Sequence, residues 1–102
     1  MHKEADTIRQ LANWYSAQCN DNWEHTYGIK IETLDNPGWR LLIDLIDTQL
    51  EDKTFTVFER GDPDKGETDW VFCKVEGGKF VAGGGVNNLP ELIKVFVSWT
   101  RE

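Results

Sequence analysis

YGIKIETLDNPGWRLLIDL, residues 27–45, decides the fold. In its first half Tyr27, Ile29, Ile31 and Thr33 alternate with Gly28, Lys30 and Glu32, the period of two that gives a strand one inward face. Asn36-Pro37-Gly38-Trp39 fits a type II turn, because proline fixes φ at the second position and glycine supplies positive φ at the third. Trp39, Leu41, Ile43 and Leu45 then form the inward face of a second strand. Two strands joined by so short a turn predict an antiparallel hairpin.

Upstream, Ile8, Leu11, Ala12, Tyr15 and Cys19 recur at helical spacing from about residue 5, with Asp6 or Thr7 as N-cap. Asn20-Asp21-Asn22 ends that helix. Downstream, a third strand is expected over residues 54–60, followed by the polar loop 61–66 and a fourth strand over 69–76. Gly77-Gly78 permits a tight turn into a fifth strand over 79–82. Asn88-Leu89-Pro90-Glu91 reads as an N-cap, an early-turn proline and a capping-box glutamate. It opens a helix with Leu89, Leu92, Ile93, Phe96 and Trp99 on one side.

The order α-β-β-β-β-β-α predicts one α+β domain over residues 1–102: an antiparallel meander of about five strands, with the N-terminal and C-terminal helices packed on it. Leu42, Ile46 and Phe58, with alternate residues of the fourth strand, fall on the face opposite the main apolar set. Helices on opposite faces, or a curled sheet, are expected to bury them. Left open, they form an apolar patch that marks an interface.

The composition is that of a globular chain, 39% hydrophobic and 12% aromatic with five tryptophans. Its apolar stretches are too short for a membrane span, and the polar MHKEADTIRQ start lacks the apolar region of a secretory signal. Two cysteines, Cys19 and Cys73, make no disulfide framework, so a reduced, cytoplasmic protein is expected. The net charge of −7 concentrates in residues 44–69, with 9 acidic and 3 basic side chains. Such a field repels nucleic acid and anionic lipid and steers basic partners.

Catalytic and ligand readings rest on few residues. Cys19 and His25 could form a thiolate–imidazole pair with Glu24, Asp21 or Asp35 as orienting carboxylate, giving a small thiol-dependent enzyme. Cys19, however, falls in phase with the inward helix face, where cysteine behaves as a small hydrophobe. A small-molecule module would need an apolar pocket lined by Tyr27, Trp39 and His25. No Cys or His pair has metal-ligand spacing, and Gly83-Gly84-Gly85 lacks the lysine and hydroxyl of a phosphate loop, so no cofactor or metal is expected.

Several ordered motifs span nearly the whole chain: Trp14-Tyr15 and Gln18-Cys19, Trp23-Glu24-His25 and Tyr27-Gly28-Ile29, Thr33-Leu34-Asp35-Asn36-Pro37-Gly38-Trp39, Ile43-Asp44-Leu45, Asp69-Trp70 and Asn88-Leu89. In these the chain resembles the immunity protein 53 family, small bacterial proteins that neutralise a toxin encoded beside them in polymorphic toxin systems. Asn20-Asp21-Asn22 and the loop 61–68 depart from the family's pattern without disturbing the match. The resemblance implies a non-enzymatic toxin inhibitor and carries over no site residue.

A compact acidic surface suits a basic toxin such as a nuclease, bound by steered association as a monomer or homodimer. Glu51, Asp52, Asp62, Asp64, Glu67 and Asp69 are then the expected steering charges. Trp23, Trp39 and Trp70, where exposed, are the anchors, although at least three of the five tryptophans belong to the core. Glu24, His25, Tyr27, Asp35, Asn36, Pro37 and Gly38 form the structural signature. Glu24 and His25 are expected to brace the start of the first strand by hydrogen bonding.

Overall fold

A computed structural model describes residues 3–102. The elements are α1 (Lys3–Gln18), α2 (Trp23–Thr26), β1 (Ile29–Leu34), β2 (Gly38–Asp44), β3 (Phe58–Arg60), β4 (Val71–Glu76), β5 (Lys79–Gly84) and α3 (Leu89–Thr100). The expected α+β domain is present, with five antiparallel strands and the C-terminal helix packed on the sheet, while the N-terminal helix packs chiefly on α3 rather than on the strands.

Both hairpins form, although Ile31 and Thr33 of the expected inward face of β1 are exposed. Ile29 faces Ile43 and Thr33 faces Trp39 across β1–β2, while Val75 faces Phe80 across β4–β5. Gly77 (φ 62°) and Gly78 (φ 76°) turn the second hairpin in the left-handed region that disfavours side chains. The first turn is not type II. Gly38 lacks positive φ and pairs with Leu34 in the ladder, and the Asn36–Pro37 peptide is cis.

The strand order β1-β2-β5-β4-β3 is not a simple meander. The chain leaves β2, crosses the sheet end through residues 45–57 and returns as β3 on the far edge. Aromatic packing accounts for the route. Phe55 turns inward to meet Phe80 at 5.4 Å and Trp99 at 5.2 Å, both edge to face. That inward turn also leaves residues 54–57 outside the ladder, so β3 is shorter than the expected strand.

One core lies between the sheet and the helices. Leu41, Ile43, Cys73, Phe80, Leu92 and Phe96 are fully buried there. Helix α1 contributes a stripe shifted from the expected one: Thr7 and Leu11 are buried and Trp14 half-buried, while Ile8 is 57% exposed and Ala12 and Tyr15 face outward. Trp14 sets this phase by meeting Phe96 edge to face at 4.9 Å, a larger apolar contact than Ile8 or Ala12 could make. Asp6 and Thr7 lie within the helix rather than at its cap.

Both helices contact each other, and α3 contacts β2, β4 and β5, so they share one face. The expected burial of the opposite face does not occur over most of the sheet. Leu34, Leu42, Phe72 and Val81 remain half-buried there, lining a shallow depression of about 480 Å³.

Candidate interaction surfaces

The Cys19–Trp39 segment is a scaffold. Asn20 Oδ1 accepts from the amides of Asn22 and Trp23, and the Glu24 carboxylate accepts from the amides of Asn20 and Asp21, both at 2.9 Å. These reciprocal bonds wind α2, a single turn that hydrophobic periodicity does not reveal. Hydrogen bonds from Glu24's own amide and from those of Asn20 and Asp21 hold its carboxyl below the usual range.

Trp23 is buried, its Nε1 donating to Ile46 O at 2.9 Å, and Tyr27 packs against it. Glu24 therefore braces the approach to β1, but His25 does not: its ring is exposed and makes no hydrogen bond among the described residues. The turn residues Asp35, Asn36 and Pro37 are exposed at the other end of β1.

The thiol reading finds no geometry. Cys19 Sγ donates to Tyr15 O at 3.4 Å, and no hydrogen bond joins it to His25 among the described residues. Cys73 lies in the core, where burial pushes its thiol up to about 12. Both cysteines are free. The pocket of Tyr27, Trp39 and His25 does not form either. Thr33 lies opposite Trp39, six positions and roughly 20 Å along the strand from Tyr27, and Trp39 Nε1 donates instead to Val86 O. Among the described residues no cluster of three metal-ligating side chains occurs.

The candidate acidic residues fall into two groups at opposite ends of α3, a 12-residue helix about 18 Å long. Glu51 and Asp52 lie at its C-terminal end, where the adjoining Lys53 Nζ donates to the carbonyls of Trp99 (2.8 Å) and Glu102 (2.6 Å). The second group, Asp62, Asp64, Glu67 and Asp69, occupies the β3–β4 loop by the N-terminal end.

Three of that group are engaged, two within the loop and one with β3. Asp62 Oδ1 accepts from the Asp64 amide, Glu67 Oε1 accepts from the Asp62 amide, and Asp69 is paired with Arg60 at 2.7 Å. Arg60 also forks onto Glu91 and, as the nearest cation, holds both carboxyls below their usual range. Asn88 stands at the N-cap position of α3 yet caps nothing with its side chain. Its Nδ2 donates to Asp69 Oδ1 at 2.8 Å instead.

Trp23, Trp70 and Trp99 are buried, which leaves Trp14 and Trp39 half-buried. Trp70 lies on the sheet face away from the helices, its ring within about 3.5 Å of a Cβ at Gly83 and 3.2 Å of one at Gly38. Pro37, Pro63 and Glu67 line the cleft beside it. Of the three tryptophan anchors expected from sequence, only Trp39 presents substantial surface.

Two surface features escape sequence reasoning. The first is a groove of about 710 Å³ between α3 and residues 54–58, lined by Phe55, Phe58, Pro90, Lys94, Val95 and Trp99. It exists because Phe55 leaves the ladder, which no pattern in the sequence signals. The second is the charge arrangement of the bare sheet face. Arg40 pairs with Glu32 opposite it, Lys79 with Asp44 opposite it, and Lys74 with Glu76 on its own strand. With Lys30 and Glu59 the face carries four charges of each sign, so the excess of −7 lies elsewhere.

Helix, hairpin, crossover and closing helix thus follow one another in the order of the sequence motifs, and the immunity protein 53 family model matches residues 8–101. The chain belongs to the immunity protein 53 family. Membership makes it a toxin inhibitor rather than an enzyme, with a cognate toxin as its partner. No curated protein and no solved structure matches it significantly. No described helix is long and apolar enough to cross a membrane. The Trp23-Glu24-His25 stretch supports the fold through Trp23 and Glu24.

Proposed function

We propose that this immunity protein neutralises its toxin in the cytoplasm by electrostatically steered association of its acidic surface with a basic toxin domain, a nuclease being the class that fits. The observation that carries this reading is the placement of charge. The sheet face is neutral, so the whole negative excess lies on the other surfaces, where Glu51, Asp52, Asp64 and Glu67 are exposed. Asp62 and Glu67 hold the loop's shape, and Asp69 shares Arg60 with Glu91, so that cluster keeps one net negative charge. Asp52 and Asp64 accept no hydrogen bond among the described residues and are free to meet a basic partner.

Trp39 supplies the half-exposed aromatic contact of this reading, while Trp23 and Trp70 support the surface from beneath. Such charges act on encounter more than on residence. Stopped-flow association with the toxin therefore tests the reading. Glu51→Gln/Asp52→Asn and Asp64→Asn are expected to slow association severalfold, with dissociation little changed and salt producing the same loss. Association indifferent to salt and to both variants overturns it.

A further inference from the structure

The bare sheet face has a chemistry different from the rest of the surface, and that difference identifies what it meets. Leu42, Val81 and Phe72 sit at its centre on β2, β5 and β4, with Leu34 on β1 beside them. Around them the three ion pairs Arg40–Glu32, Lys79–Asp44 and Lys74–Glu76 are closed within the chain. The two remaining charges, Lys30 on β1 and Glu59 on β3, have opposite sign and stand on opposite edge strands.

We propose that this face is where two copies of the chain meet, sheet against sheet. Two molecules of net charge −7 repel through most of their surfaces. On this face each copy presents no net charge, and its ionic groups bring their own partners into contact. A basic toxin finds no excess of acid here, whereas an identical neutral face is complementary in both charge and polarity. Aligned packing of twisted sheets is the ordinary way two such faces share a core.

The area suffices for a weak dimer. Four strands of six or seven residues and the three-residue β3, about 4.8 Å apart, offer a face roughly 20 Å on a side, so two copies remove roughly 800 Å² from water. That is the low end for a specific contact, and it predicts association in the upper micromolar range. Because β5 is the middle strand and Val81 lies in its middle, a two-fold axis in the plane of the interface brings Val81 close to the partner's Val81.

Sedimentation velocity on the full chain tests the proposal. A concentration-dependent dimer is expected, and Leu42→Lys should raise its dissociation constant by about 100-fold, because two-fold symmetry places the change in the interface twice. In a Cys19→Ser background Val81→Cys should be joined between chains by a short bis-maleimide, since facing sheets stand about 10 Å apart, with far-ultraviolet circular dichroism unchanged. This second variant decides the matter even if Leu42→Lys fails to fold. A chain that stays monomeric at high micromolar concentration overturns the proposal, as does a Val81→Cys protein that does not cross-link. If Leu42→Lys abolishes toxin binding while the parent chain is a monomer, the face belongs to the toxin and the dimer is refuted.

Discussion

Arg60 grips Glu91 with two prongs, Nη1 to Oε2 at 2.6 Å and Nη2 to Oε1 at 2.8 Å, while Nη2 also reaches Asp69 at 2.7 Å. One guanidinium thus ties the edge strand β3 to the start of α3 and to the loop before β4. Because both carboxyls are held below their usual range, the folded chain takes up protons less readily than the unfolded one. Their contribution is present above the ordinary carboxyl range near pH 4 and is lost as pH falls through the lowered values. Arg60→Gln should therefore lower the melting temperature most at neutral pH, with the gap closing under strongly acid conditions. Thermal melts of both proteins across pH check this, and a gap independent of pH contradicts it.

Trp23 is 3% exposed and hydrogen-bonded to Ile46 O, which links α2 to the segment leaving β2. Trp23→Phe removes the donor and leaves the carbonyl short of a partner, a loss of about 1 kcal/mol. Trp23→Ala adds a cavity, for about 3–5 kcal/mol. Urea unfolding of the three proteins reads both steps, and equal midpoints for Trp23 and Phe would remove the bond from the account.

The two thiols differ in reactivity. Cys19 is at the surface end of α1, and Cys73 is wholly buried with its thiol pushed up to about 12. Titration with a disulfide reagent should release one equivalent quickly and the second only on unfolding. Two fast equivalents would mean that the core around Cys73 opens readily.

Gly78 adopts φ 76°, and a Cβ there would press on the Ile46 side chain. Gly78→Ala should cost more than ~1 kcal/mol, whereas Gly77→Ala, with positive φ but open space, should suffer the backbone penalty alone. Denaturant midpoints ordered Gly77→Ala above Gly78→Ala fit this; the reverse order does not.

Local patterns foretold the elements better than their assembly. Ile29-Lys30-Ile31-Glu32 and Trp39-Arg40-Leu41 specify strands by alternation, and Leu92, Ile93, Phe96 and Trp99 specify the closing helix, because each signal is local. The sheet order was not legible. It depends on Phe55 turning toward Phe80 and Trp99, a contact between residues 25 and 44 positions apart. The phase of α1 escaped for the same reason: Ile8 and Tyr15 complete a good stripe, and only the Trp14–Phe96 contact selects another.

Site residues were the least legible. Asp69 reads as a free surface charge until Arg60 is placed beside it, and Trp70 reads as an anchor until its ring is seen buried against Gly38 and Gly83. The acidity of residues 44–69 was plain in the sequence. Its division between the two ends of α3 follows from the crossover and the β3–β4 loop, which no local pattern encodes.

Toxin neutralisation is the central claim, and survival of cells carrying the toxin is its most direct measurement. Induction of the cognate toxin should kill cells that lack the chain and spare those that express it. Protection should persist in the Cys19→Ser/His25→Ala double variant, since neither side chain performs chemistry. Cells that die despite abundant folded chain, with no complex recovered between the two proteins, would contradict the account.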